Sequence, residues 1–162
     1  REQGFLDVMK EKYPGIEVVS ANQYGGATTE SAYQASENLL APLRTSDGKL
    51  TIDGIFCPNE STAFAMLRAL EDGGLAGKVK YVGFDSSDRL VQGLRNGQIN
   101  GLVLQDPINM GYLGVKTVVA HLKGQKVEKR IDTGSAVATP ENMDEPKMKN
   151  LLEPDFKKWL NE

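Results

Sequence analysis

Three polar residues stand at equivalent places in the chain, each directly after an apolar run. Asn59 follows Ile55-Phe56-Cys57-Pro58, Asp85 follows Val82-Gly83-Phe84, and Gln105 follows Leu102-Val103-Leu104. If these runs are neighbouring parallel strands, their carboxyl ends meet at one rim, where ligands bind in open α/β sheets. Two amides and a carboxylate can donate to and accept from several vicinal hydroxyls. The pattern therefore predicts a carbohydrate site.

Each of these residues also has a plainer interpretation. Asn59 and Asp85 each precede a predicted helix, so each is also a candidate helix cap. Gln105 is also interpretable as a solvated side chain. Glu60 is predicted to be a first-turn charge favoured by the helix dipole, and the alternative is that it shapes the pocket.

The elements that would position these residues alternate between strand and helix. Extended segments are predicted over 16–19, 52–57, 79–84 and 101–104, and helices over 2–13, 32–43, 61–70, 90–94 and 106–126. The remaining 127–162 is predicted to hold a crossover strand and a helical tail that carries Met148, Leu151, Leu152, Phe156, Trp159 and Leu160 and bends at Pro154. The alternation predicts one domain over 1–162, an open doubly wound parallel α/β sheet.

Composition excludes several classes of protein. The net charge of −3 is spread over both signs, which argues against a nucleic acid or a lipid surface as partner. No apolar run approaches the roughly 20 residues that span a bilayer. Cys57 is the only cysteine and His121 the only histidine, so we expect no metal site and no internal disulfide. Cys57 is predicted to be a buried apolar group, and His121 a solvated residue near a helix end.

Enzyme signatures are absent from the sequence. No phosphate-binding loop, nucleophile elbow or dinucleotide fingerprint occurs, and the glycine-rich 73–77 follows a helix, where it acts as a stop. A weaker alternative is a small enzyme that uses Asp85 or Glu60 as acid or base, but no nucleophile, metal set or cofactor loop accompanies them. We therefore predict no catalytic residues and no cofactor.

Four stretches together resemble a known family. They are Arg1-Glu2-Gln3-Gly4-Phe5, Phe56-Cys57-Pro58-Asn59-Glu60 with the helix that follows, Val82-Gly83-Phe84-Asp85, and Leu104-Gln105-Asp106-Pro107 with Gly111. In order and spacing they are similar to the type I periplasmic sugar-binding proteins of bacterial ABC transporters, typified by ribose-binding protein. The resemblance covers residues 1 to about 125.

The resemblance implies a set of binding residues, a function and a cellular location. The matching arginine, asparagine, aspartate and glutamine of the family contact the sugar, which places Arg1, Asn59, Asp85 and Gln105 in the pocket. The family's stacking aromatic ring is matched here by an alanine, and Tyr24, three residues earlier, is the only nearby ring. The implied function is binding a monosaccharide or related polyol between two lobes, with a transporter permease as partner and a periplasmic or extracytoplasmic location.

The resemblance also implies that this chain is one lobe of two. It lacks the first lobe and the first strand of the second, and its start carries no signal peptide. In the family, the helix within 106–126 packs on the missing lobe. We therefore expect the chain alone to bind sugar poorly and to self-associate, with the segment after Gln105 folded back or exchanged between protomers. The alternative parent is a lac-repressor-type regulator, whose effector domain shares this fold; its helix-turn-helix is not in this chain.

Overall fold

The computed structural model describes residues 1–155 and residue 157. Its helices are α1 (Glu2–Lys12), α2 (Thr29–Leu40), α3 (Glu60–Asp72), α4 (Asp88–Arg95), α5 (Pro107–Leu122) and α6 (Pro146–Leu152), and a 3-10 turn (Ala41–Leu43) extends α2. Its strands are β1 (Gly54–Phe56), β2 (Lys80–Phe84), β3 (Gly101–Leu104) and β4 (Ala136–Ala138). The predicted alternation of strand and helix is thus present from β1 to α5.

The strands form one open sheet in the order β1-β2-β3-β4. The first three are parallel, which confirms that their carboxyl ends share a rim. β4 runs antiparallel to β3 and begins opposite its end, with Ala136 paired to Leu104. The sheet is therefore mixed at this edge, because the chain returns through β4 from the same rim at which it left β3.

The core lies between the sheet and the helices that connect its strands. Its fully buried large side chains are Tyr81, Leu40, Leu67, Leu70, Leu75, Leu90, Leu94, Ile99, Leu102 and Leu104. The buried Tyr81 hydroxyl is satisfied, since it donates to the Ala63 carbonyl at 2.7 Å. Gly83 permits close packing at this point, because a Cβ there would lie 3.0 Å from Leu102 and 3.2 Å from Ala63.

The strand predicted over 16–19 is not formed. These residues have no regular secondary structure, and Ile16 and Val19 are each 57 % exposed. A β-branched run becomes a strand only when a neighbour pairs with its backbone. No strand in the described part of the chain pairs with this segment.

The tail packs against the body as far as α6. Met143, Met148 and Leu152 are buried in the core cluster. Arg95 of α4 is ion-paired with Asp144 at 3.5 Å and with Glu153 at 3.6 Å, on either side of α6. The helix ends at Leu152, two residues before Pro154, so the prediction of one tail helix that bends at Pro154 is wrong. The reason is that a proline disfavours helical backbone at the residue before it. The predicted tail residues Phe156, Trp159 and Leu160 lie outside the described residues.

Helix α5 projects from the sheet instead of covering it. None of its residues is buried, and Tyr112, Val115 and Leu122 are 61 %, 68 % and 79 % exposed. The alternative in which this segment folds back on the sheet is therefore wrong for the single chain. Among residues 1–155 and 157, no helix combines the length and apolarity needed to cross a membrane.

Candidate ligand-binding site

The structure brings Asp85 and Gln105 into direct contact at the rim. Gln105 Nε2 donates to Asp85 Oδ1 at 2.7 Å, so the ends of β2 and β3 are joined by a charge-assisted hydrogen bond. Both side chains are half-buried. Gln105 is therefore not simply solvated, and neither its Oε1 atom nor the second oxygen of Asp85 has a hydrogen-bond partner in the described chain.

The backbone of Asp85 is strained. Its φ of 63° is the only positive value at a non-glycine residue in the described chain. Such a conformation costs an L-residue roughly 1–2 kcal/mol, although aspartate tolerates it better than most. The cap interpretation of Asp85 is wrong, because α4 has Ser87 as its N-cap and the Asp85 side chain bonds across to β3. Strain without a local structural benefit is typical of functional positions.

Asn59 does cap a helix. It is the N-cap of α3, and its Oδ1 accepts from the Thr62 backbone N–H at 2.9 Å and from the Ser61 and Thr62 hydroxyls. The oxygen is thus fully used, whereas the Nδ2 amide group has no partner among the described residues. Asn59 can therefore serve a ligand only as a donor. Glu60, the first residue of α3, is half-buried in the first turn. This is where the helix dipole favours a negative charge, as predicted.

Arg1 contacts residues at the carboxyl ends of both β1 and β2. Its Nη1 donates to the Pro58 carbonyl at 3.0 Å, and its Cζ lies 3.9 Å from the centre of the Phe84 ring. Pro58 precedes Asn59 in sequence and Phe84 precedes Asp85. The rim thus has donors on the β1 side, from Arg1 and Asn59, and acceptors on the β2 and β3 side.

Four of the candidate residues are divided between two clefts, and Arg1 lines neither of them. One, of about 630 Å³, lies beside Asp85 and Gln105 and extends to the tail segment 151–154. The other, of about 470 Å³, is lined by Asn59, Phe56 and Tyr24 among others. Tyr24 is 81 % exposed, so its ring has a face open to a ligand. Glu60 lines neither cleft.

Sequence reasoning missed the wall of the first cleft. Ser86, Ser87 and the segment 151–154 line it, and the Ser87 hydroxyl is buried without a hydrogen-bond partner in the described chain. Adjacent serines after Asp85 are a weak signal for this wall. The segment 151–154 reaches this cleft from far along the chain, and no local sequence pattern predicts such a contact.

One thiol, that of Cys57, lies next to the end of β1. Cys57 is buried as predicted, and this burial raises the pKa of its thiol to about 11, so the thiol stays protonated at neutral pH. Across residues 1–155 and 157, no group of three or more acidic, histidine or cysteine side chains is placed to hold a metal ion. His121 lies in the last turn of α5 and is exposed, as predicted. The arrangement offers hydrogen bonds to a ligand.

Several proteins similar to this chain are named as sugar-binding proteins or were solved with a sugar. A family model described as "Periplasmic binding protein domain" matches residues 1–126. The ribose import binding protein of Haemophilus influenzae is 34 % identical over 113 residues, which are 70 % of this chain. A carbohydrate transporter solute binding protein from Agrobacterium radiobacter, solved with D-arabinose, superposes with a TM-score of 0.82 at 39 % identity over 93 % of this chain. An ABC transporter solute binding protein from Agrobacterium vitis, solved with D-fucose, has the same TM-score at 35 % identity, also over 93 % of this chain.

These matches cover only part of each relative. The chain spans 36 % of the length of the Haemophilus protein, 48 % of the A. radiobacter protein and 49 % of the A. vitis protein. The compared region thus corresponds to about half of a solved solute-binding protein.

Proposed function

This chain belongs to the family of periplasmic binding protein domains, and on that premise we propose that it forms one lobe of a two-lobed sugar-binding component of a bacterial ABC transporter. The ligand is a neutral monosaccharide or related polyol. Arg1, Asn59, Asp85 and Gln105 bind it at the rim of the sheet, and Tyr24 and Glu60 are secondary candidates.

The observation that carries this proposal is the strained Asp85, paired with Gln105 at the rim. The second carboxylate oxygen of Asp85 and Gln105 Oε1 can accept hydrogen bonds from a ligand, whereas Asn59 Nδ2 and the Arg1 guanidinium can donate them. A sugar hydroxyl is both donor and acceptor, so a ring with vicinal hydroxyls can use both sides at once. The sugars bound by the two solved relatives are monosaccharides of this kind.

Calorimetry on a two-lobed form of the protein tests the ligand class. The panel contains pentoses, hexoses and linear polyols, with D-arabinose, D-fucose and D-ribose among them. We expect saturable heat with at least one neutral sugar, and the sugar that binds most tightly identifies the natural class. Silence across the whole panel would overturn the proposal.

The 162-residue chain alone should bind the same sugar poorly. Proteins of this class close two lobes about a hinge, and each lobe supplies part of the wall around the ligand. With one wall absent, contacts are lost and the bound sugar stays solvated. Tight binding by the isolated chain, measured by the same calorimetry, would show that the lobe is complete by itself.

We propose further that the isolated chain self-associates through α5, with a second copy as partner. The exposed side chains of α5 are mostly apolar, and a contiguous exposed apolar surface favours contact with another protein surface. Sedimentation at micromolar concentration should show a dimer. Leu122→Asp should weaken it by about tenfold or more, since burying one such side chain stabilises by roughly 1.5–3 kcal/mol. Ile131→Asp, at another exposed apolar residue, is the matched control. A monomeric wild type would contradict this proposal.

The remaining parts of the proposal concern the whole protein. A transporter permease is its partner and the periplasm its location, because its relatives are import components. The family is one of binding proteins and not of enzymes. No observation favours the regulator alternative. Fractionation of cells that produce the full-length protein tests the location, and recovery in the cytoplasm bound to DNA would contradict it.

A further inference from the structure

Helix α1 is held against the sheet by few contacts, and two of them involve aromatic rings. None of its residues is buried. The Phe5 ring stacks on the Phe56 ring of β1, with centroids 4.8 Å apart and an angle of 20° between the planes. The guanidinium of Arg1, the N-cap of α1, lies over the ring of Phe84 at the end of β2. The placement of Arg1 at the rim therefore depends on these rings.

Phe84 differs from an ordinary core residue. It is only 7 % exposed, yet it lies outside the contiguous core formed by the buried residues of the described chain. Its ring is contacted by a charged guanidinium, whereas a ring that serves packing alone is normally covered by apolar side chains. The next residue in sequence is the strained Asp85.

Stacking on a ring leaves an arginine able to bind something else. The planar guanidinium carries its N–H groups in its own plane, so contact between its face and the ring does not consume them. One group, at Nη1, donates to the Pro58 carbonyl. The other donors of Arg1 have no partner in the described part of the chain.

We infer that Phe84 is a positioning residue, which holds the Arg1 guanidinium over the end of β2 so that its free donors reach a ligand hydroxyl beside Asp85. The inference rests on the proposed function and deepens it. One sugar hydroxyl, or two adjacent ones, can then accept from Arg1 and donate to Asp85. Phe84 acts through Arg1 and needs no contact with the ligand.

The stacking itself is tested without any sugar, by NMR on the 162-residue chain. A guanidinium over a ring experiences the ring current, so the side-chain proton resonances of Arg1 should be displaced upfield. Phe84→Leu keeps the apolar bulk and should abolish the displacement, whereas Phe84→Tyr keeps a ring and should retain it. The matched control is Phe64→Leu, the same substitution under another arginine, since Arg89 lies 5.9 Å from the Phe64 ring. Unshifted Arg1 resonances in the wild type would overturn the inference.

The positioning role is tested by a double-mutant cycle on the two-lobed form, with D-arabinose as probe or the tightest sugar of the panel. Phe84→Leu should weaken binding about fivefold, the order expected for a partly desolvated cation–π contact. In the Arg1→Met background, the same substitution should change affinity by less than about twofold, because its only route to the ligand is gone. Phe84→Tyr should restore most of the affinity, and Phe64→Leu should leave it unchanged.

The outcomes separate this inference from the proposed function. An equal loss on Phe84→Leu with and without Arg1 would overturn the positioning role while sugar binding stands. No binding by any sugar would overturn the proposed function, and the inference with it, even if the ring-current displacement proved that Arg1 is stacked.

Discussion

The ends of β1 and β2 share one sequence pattern but differ in structure. At the end of β1, Asn59 uses its oxygen to cap α3 and keeps only its amide donors. At the end of β2, Asp85 caps nothing, adopts a φ of 63° and bonds to Gln105 on the next strand. Asn59 therefore stabilises α3 and can also donate hydrogen bonds to a ligand. Asp85 stabilises no helix, and its strained backbone places a carboxylate that can accept hydrogen bonds. The same position after a strand can thus serve the fold or the ligand.

The largest expected effect is the loss of binding on Asp85→Ala in the two-lobed form. The half-buried Asp85 carboxylate can accept charge-assisted bonds from adjacent hydroxyls besides the one from Gln105. Two such bonds are worth roughly 1.5–3 kcal/mol each, so affinity should fall by about a hundredfold or more. Asp85→Gly should lose affinity equally while gaining up to about 1 kcal/mol of stability, because glycine accepts positive φ.

Calorimetry and urea unfolding of the same samples distinguish binding from stability. The control is Glu30→Ala, which removes a carboxylate from the first turn of α2, away from both clefts. An Asp85→Ala protein with lower stability and unchanged affinity would show that the β2 end resembles the β1 end after all.

The second effect concerns the thiol at the β1 end. Burial raises the pKa of Cys57 from 9.0 to about 11, so the folded state holds its proton more tightly than the unfolded state. The associated stability is present below pH 9 and is lost as the pH rises through 11, by about 3 kcal/mol in total, since each pKa unit is worth about 1.36 kcal/mol. Urea unfolding at pH 8.5 and pH 11 should show this loss in the wild type relative to Cys57→Ala. Burial also raises the pKa of Tyr81, and Cys57 adds to that shift, so the comparison reports the effect of the Cys57–Tyr81 pair. Equal losses in the two proteins would mean that the β1 end admits water.

The third effect separates the two roles of Asn59. Asn59→Ala should lower the free energy of unfolding by about 1 kcal/mol, since α3 loses its cap. Asn59→Asp keeps a capping oxygen but removes the Nδ2 donor, so stability should hold while affinity for the sugar falls. Thermal unfolding and calorimetry measure the two quantities. If Asn59→Asp bound sugar as well as the wild type, the β1 end would have a structural role alone.

Local rules predicted the three parallel strands, their polar ends and the cap at Asn59, because each depends on a short stretch of chain. They failed where a partner elsewhere decides the outcome. The segment 16–19 is β-branched but has no neighbour to pair with, and the direction of β4 depends on the path of the chain through α5. Sequence reasoning placed Arg1 in the site only by resemblance, and its contact with Phe84, 83 positions away, has no local signature.

The smallest expected effect is the loss of stability on Glu60→Gln, and it tests whether Glu60 stabilises α3 or shapes the pocket. It lies in the first turn of α3 beside the cap, and it lines neither cleft. A carboxylate at a helix N-terminus stabilises by about 0.3–1 kcal/mol at low ionic strength, and salt screens the effect. Glu60→Gln keeps the size of the side chain and removes the charge, so stability should fall by that amount at low salt and by less at high salt. Sugar affinity should not change. A loss of affinity without the salt-dependent loss of stability would place Glu60 in the pocket, and the β1 end would then supply an acceptor as well as donors.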